Sequence, residues 1–90
     1  MTFQSLDFSD EFLETYGSRD FSSKERALFL KALRLLDANE QHTSLRVHAL
    51  GGDLQGLWSE SASLALRMTF QRTANGRKTL VACTRHYQRT

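Results

Sequence analysis

Apolar positions recur at helical spacing over one long stretch of this chain and at strand spacing over most of the rest. After "SSKE", Leu28, Ala32, Leu35 and Leu36 share one stripe with Phe29 and Leu33 beside it, while Lys24, Lys31 and Arg34 fall on the opposite side. Ser22 followed three residues later by Glu25 is a capping box, in which each side chain satisfies the other residue's backbone N–H. Together they predict an amphipathic helix over residues 23–38. Upstream, "SDEFLETYG" opens with Ser9 as a cap, carries acids in its opening turns and stops at Gly17, which predicts a short helix over 10–16. "TFQSLDF" places Phe3, Leu6 and Phe8 out of strict alternation and predicts a first strand over 2–8.

From residue 45 the period changes to two. "LRVHAL" sends Leu45, Val47 and Ala49 one way and Arg46, His48 and Leu50 the other, a strand with one face on the core. "GGDLQG" reads as a turn, and "LWSESA" and "LALRMTFQRT" as two further strands. In the second of these Leu66, Met68 and Phe70 face the core while Arg67, Thr69 and Gln71 face away. Asn75-Gly76 marks a hairpin, because a tight turn there needs positive φ. "TLVACTR" is apolar on both faces, which predicts an interior strand. The pattern as a whole gives an α+β layer: a strand, two helices, then an antiparallel meander of three or four strands, with the helices packed on one face.

Ninety residues with 40% hydrophobic content suit one domain, 1–90, with one modest core. No apolar run nears the roughly 18 residues that span a bilayer, and "MTFQSLDFSDEF" lacks a basic stretch followed by an apolar one, so a soluble, cytoplasmic protein is expected. The lone cysteine, Cys83, sits in an apolar run where a buried, inert thiol is expected. Charge is uneven. Residues 1–25 carry six acids against two bases, whereas residues 46–90 carry seven bases, six of them Arg, against two acids. An anionic partner on the C-terminal half follows, since the guanidinium fork suits phosphate; a solvated sheet surface is the plainer account of the same bias.

The polar residues supply candidate chemistry. Arg46 and His48 share a face, and counting out from the Asn75-Gly76 turn places residue 84 or 85 opposite Arg67. His86, just past the last strand, is then within reach of Arg67, with Tyr87 beside it. Two imidazoles, a guanidinium and a phenol on one open face fit cleavage of RNA by its own 2′-hydroxyl. That step uses a base, a cation for the phosphorane and an acid for the leaving oxygen, and it requires no metal or other cofactor. Taken singly, His48 also suits a surface histidine, Arg67 an exposed ion pair with Glu60 or Asp53, and His86 and Tyr87 a fraying tail. His42 suits the carboxyl end of the long helix, and Trp58 the core.

"SLRVHALGGDLQGLWSESASLALRMTF" and "LVACTRHYQ" together resemble the RelE/ParE superfamily of type II toxin–antitoxin toxins, most of all the YoeB/Txe branch. The resemblance implies a RelE-like fold and a ribosome-dependent messenger RNA endonuclease that acts in the A site and is blocked by a cognate antitoxin. It further implies a homodimer or a toxin–antitoxin hetero-oligomer. Carried over, the strand arginine is Arg67, the terminal histidine His86 and the terminal tyrosine Tyr87; Arg46, Arg85 and Arg89 would contact RNA phosphates. His48 stands where that branch has a carboxylate base, and a histidine there resembles YafQ-like members. His48 as base and His86 as acid is the leading assignment, with the reverse order open. Two other readings stand beside it: a ParE-like toxin that inhibits a topoisomerase by protein binding alone, and a decayed copy that only binds an antitoxin. The His48, Arg67, His86 and Tyr87 set discriminates against the first, since a purely binding toxin has no reason to assemble it.

Overall fold

The computed structural model describes residues 2–85. In chain order the elements are β1 (Leu6–Phe8), α1 (Asp10–Tyr16), α2 (Ser23–Ala38), β2 (His48–Ala49), β3 (Trp58–Ser61), β4 (Leu66–Arg72) and β5 (Lys78–Arg85), with short 3₁₀ turns before β2, between β2 and β3 and between β4 and β5. Both helices have the limits expected from the sequence. Ser9 Oγ accepts from Phe12 N and closes the start of α1, and the Ser22–Glu25 capping box is formed in full at the start of α2. Such caps act within three residues, so their signal is local.

The five strands form one sheet in the order β1-β5-β4-β3-β2. β2 to β5 pair antiparallel, as the meander expectation requires, and β5 lies inside the sheet. β1 completes it by pairing parallel with β5, so the sheet is mixed. β1 is also shorter than expected. Gln4 N and Ser5 N donate to the Asp37 carboxylate at 2.9 and 2.8 Å, which takes those backbone groups away from a strand ladder.

The hairpin register agrees with the count from the turn: Arg67 stands opposite Thr84, with a bulge that leaves Val81 without a partner on β4. Asn75 and Gly76 have φ of 63° and 74°, inside a loop closed by Thr73 N donating to Arg77 O. Beyond the end of β1, α1 takes over the edge of β5. Ser9 N donates to Leu80 O, Ser9 Oγ donates to Val81 O, and Cys83 N donates to Thr15 Oγ1. An otherwise open strand edge is thereby satisfied by helix residues.

The core lies between this sheet and the helices. Phe29, Ala32, Leu33 and Leu36 of α2 pack against Leu66, Met68, Phe70, Leu80 and Cys83, with Phe12 and Phe21 closing the end nearest α1. Leu28 and Leu35, expected on the central stripe, flank it half-buried. Among the described residues no helix is long and apolar enough to cross a membrane.

Candidate functional site

Strand alternation sorts the polar residues onto two faces. Leu66, Met68 and Phe70 point to the helices, so Arg67 and Thr69 occupy the other face, together with their cross-strand partners Ser61 and Ser59 on β3 and Thr84 and Ala82 on β5. His48 stands opposite Ser59 and so joins this face. From the sheet spacings, His48 and Arg67 are two strands and one two-residue step apart, about 12 Å between Cα atoms. Between them lie the hydroxyls of Ser59, Ser61 and Thr69, which the alternation of "WSES" would have indicated.

His48 is exposed, and its ring is fixed by one contact: Nδ1 lies 2.8 Å from the carbonyl oxygen of Arg46. A carbonyl oxygen only accepts, so in the neutral ring Nδ1 carries the proton and Nε2 presents a lone pair. His42 is held instead by the turn that follows it. Its Nδ1 accepts from Ser44 N at 3.3 Å, capping the 3₁₀ turn Thr43–Leu45, and lies 2.8 Å from Ser44 Oγ. It serves the turn that follows α2 through its side chain, while its backbone N–H donates to Asn39 O.

β2 itself is only two residues long, shorter than the strand expected over 45–50. Leu45 is drawn into the core from the 3₁₀ turn, and Arg46 then adopts left-handed φ and ψ of 47° each, which breaks the alternation before His48. That conformation costs a non-glycine residue about 1 kcal/mol. Arg46 nevertheless reaches the open face electrostatically: Arg67 has its pKa lowered first by burial and then by the charge of Arg46.

Arg67 Nη1 donates to the carbonyls of Ser63, Leu64 and Leu66 at 2.6, 2.9 and 3.1 Å, so the turn between β3 and β4 anchors one end of its fork. It does not pair with Glu60, which lies on the opposite face, or with Asp53. Among the described residues neither Arg46 nor Arg67 is ion-paired. The charge of Arg46 thus acts on Arg67 with no carboxylate paired to either among the described residues.

Most other bases of the C-terminal half are neutralised by acids far away in sequence. Arg77 pairs with Asp7 at 2.8 Å, Lys78 with Glu40 at 3.3 Å, and Arg72 with Glu40 through two nitrogens at 3.1 and 2.6 Å. The charge asymmetry read from the sequence therefore largely cancels in space. Arg85 belongs to this group. It lies opposite Leu66 on the helix face, packs over the Phe21 ring and forms a two-nitrogen pair with Glu25 at 2.6 and 2.9 Å, which holds that carboxyl at about 2. Its guanidinium is not brought together with Arg67. His86, Tyr87 and Arg89 lie outside the described residues.

Trp58, expected in the core, is half-buried at its edge beside Phe70. The Arg72 guanidinium covers its ring at 4.3 Å from the centroid.

This mixed sheet, with two helices on one face and a short polar row on the other, is the RelE-like α+β architecture, the fold of the RelE/ParE toxins. Solved structures agree on it. The YoeB/ParE toxin from Agrobacterium tumefaciens superposes with a TM-score of 0.74 at 17% identity, over 93% of this chain and all of that one. The YafQ toxin in the DinJ–YafQ complex from E. coli gives 0.72 at 11% identity over 94% of each chain, and the YoeB dimer from Staphylococcus aureus gives 0.66 at 19% over 96% and 100%. No protein-family model matches the sequence, and no curated protein matches it significantly.

Proposed function

We propose that this chain is the toxin of a type II toxin–antitoxin pair and cleaves messenger RNA on the ribosome by metal-independent transesterification, with a cognate antitoxin as its inhibitor. The observation that carries the reading is the His48 contact: Nδ1 bonded to the Arg46 carbonyl, with Nε2 left as an acceptor on the face that holds Arg67. In this scheme His48 Nε2 takes the proton of the 2′-hydroxyl, and that oxygen forms a bond to the adjacent phosphorus. The P–O5′ bond then breaks as His86 donates a proton to the leaving oxygen. The products are a 2′,3′-cyclic phosphate and a free 5′-hydroxyl. Arg67, with Arg46 beside it, stabilises the charge that builds on the phosphorane, and Tyr87 positions or stacks a base. Arg89 assists through phosphate contact, and so does Arg85 if its pair with Glu25 opens.

Two relatives of the fold support the partner: YafQ in complex with DinJ, and the YoeB–YefM complex from Staphylococcus aureus. The A site as the place of action follows the family resemblance, and with it the cytoplasm. Primer extension on a messenger translated in a purified bacterial system tests the whole reading. New 5′ ends inside A-site codons, absent with His48→Gln and with Arg67→Ala, are the expected result. Intact messenger with unimpaired translation would overturn it and direct attention to topoisomerase inhibition.

A further inference from the structure

Where α2 ends, a cavity of about 360 Å³ opens at the β2 edge of the sheet, lined among others by Glu40, His42, Thr43, Arg46, Trp58 and Arg72. Its floor is a fixed stack. One face of the Arg72 guanidinium lies on Trp58, two of its nitrogens are held in plane by Glu40, and the side chain still keeps 39% of its surface exposed. The guanidinium, also 5.6 Å from the Phe70 ring centroid, is thus held in place where it lines the cavity. Around it stand His42, Thr43 and Arg46. Arg46 is shared with the open face, where its charge acts on Arg67. Arg72 and Trp58 lie on the helix-covered face, opposite His48 and Arg67, and the route between the two sites runs round the β2 edge, where Arg46 and Val47 line the cavity immediately before His48.

We infer that this cavity is a second RNA subsite, which takes an unpaired base of the same strand that passes His48 and Arg67. The base stacks on the Arg72 plane over Trp58 while Arg46 links the two sites. Guanidinium planes and aromatic rings are the surfaces on which single-stranded bases stack, and such stacking tolerates any base. The inference rests on the RNA-cleaving reading above, but its test is independent of cleavage.

Trp58 is the single tryptophan and reports on its own cavity. Titration with a short 2′-O-methyl oligoribonucleotide, which lacks the attacking hydroxyl, should quench its fluorescence saturably. Arg72→Lys keeps the charge and the ion pair but removes the plane, and should weaken binding about tenfold. Thr43→Glu, on an exposed turn outside the core, should weaken it as well by setting an anion at the mouth. No quenching, or unchanged affinity in folded Arg72→Lys, would overturn the subsite, and so would quenching by an acidic peptide and not by RNA. Cleavage of messenger without quenching would remove the subsite alone. Quenching without cleavage would keep it and remove the catalytic reading.

Discussion

Glu60 and Met68 face each other across β3 and β4, and both side chains are wholly buried under α2. Neither carboxyl oxygen of Glu60 has a hydrogen-bond partner among the described residues. Burial pushes its pKa up to about 8, against a smaller opposing pull from the charge of Lys78. In the folded protein Glu60 therefore keeps its proton at neutral pH, whereas the unfolded chain releases it near pH 4.5.

The sign of the pH effect follows. Between about pH 4.5 and 8 the folded state binds more protons at this site than the unfolded state, so stability is greatest at the acid end of that window and falls as pH rises. The slope is about 1.4 kcal/mol per pH unit. Asp7, Glu25, Asp37 and Glu40 have lowered pKa values, so their contribution is present above the ordinary carboxylate range and lost below it, outside this window. Urea unfolding at pH 5.5 and 8 should show the parent less stable at pH 8, with the difference largely removed in Glu60→Gln. Equal parent midpoints at the two pH values would contradict a buried, protonated Glu60.

Ser9 makes one oxygen serve two elements. Its Oγ accepts from Phe12 N at 3.0 Å to start α1 and donates to Val81 O at 3.1 Å at the β5 bulge. Ser9→Ala removes the cap and leaves a strand carbonyl short of a donor, an expected loss of about 1–2 kcal/mol in urea unfolding. Ser9→Asp keeps the cap and lacks the donor, so it should fall between the two.

Cys83 should be inert in the native state. It is 4% exposed, and burial, aided by the charge of Glu60 and opposed by a hydrogen bond with Thr15, pushes its thiol up to about 12. Iodoacetamide at pH 8 should label it slowly in buffer and quickly in denaturing urea, because the thiolate is the reactive form. Fast native labelling would show that β5 opens away from α1.

Arg67 carries a prediction on the open face. Its Nη1 is anchored to three carbonyls of its own turn, and the anchor does not depend on RNA. Arg67→Lys keeps a positive charge and loses the fork, so messenger cleavage should fall by at least tenfold with little change in urea midpoint. Activity equal to the parent would show that charge alone suffices there.

Several features were legible without coordinates because they are settled by near neighbours in sequence. Ser9, Ser22 and Glu25 fix the helix starts through bonds three residues long, and Asn75-Gly76 marks the hairpin that pairs β4 with β5, in which the bulge at Val81 brings Thr84 opposite Arg67. Alternation from that turn places Arg67 and His48 on one face, and the apolar run of β5 identifies an interior strand. Tertiary structure alone decided the rest. β1 is parallel to β5 because a segment some seventy positions earlier finds that edge, and Asp37 rather than a strand takes the backbone of Gln4 and Ser5. Arg85 and Arg77 are neutralised by Glu25 and Asp7, 60 and 70 residues away, while Arg46 and Arg67 have no ion pair among the described residues. Glu60 lies in the interior because β3 has one face under α2. Caps and turns act over three or four residues and are written locally, whereas charge pairing and burial depend on which distant segments the folded sheet brings together.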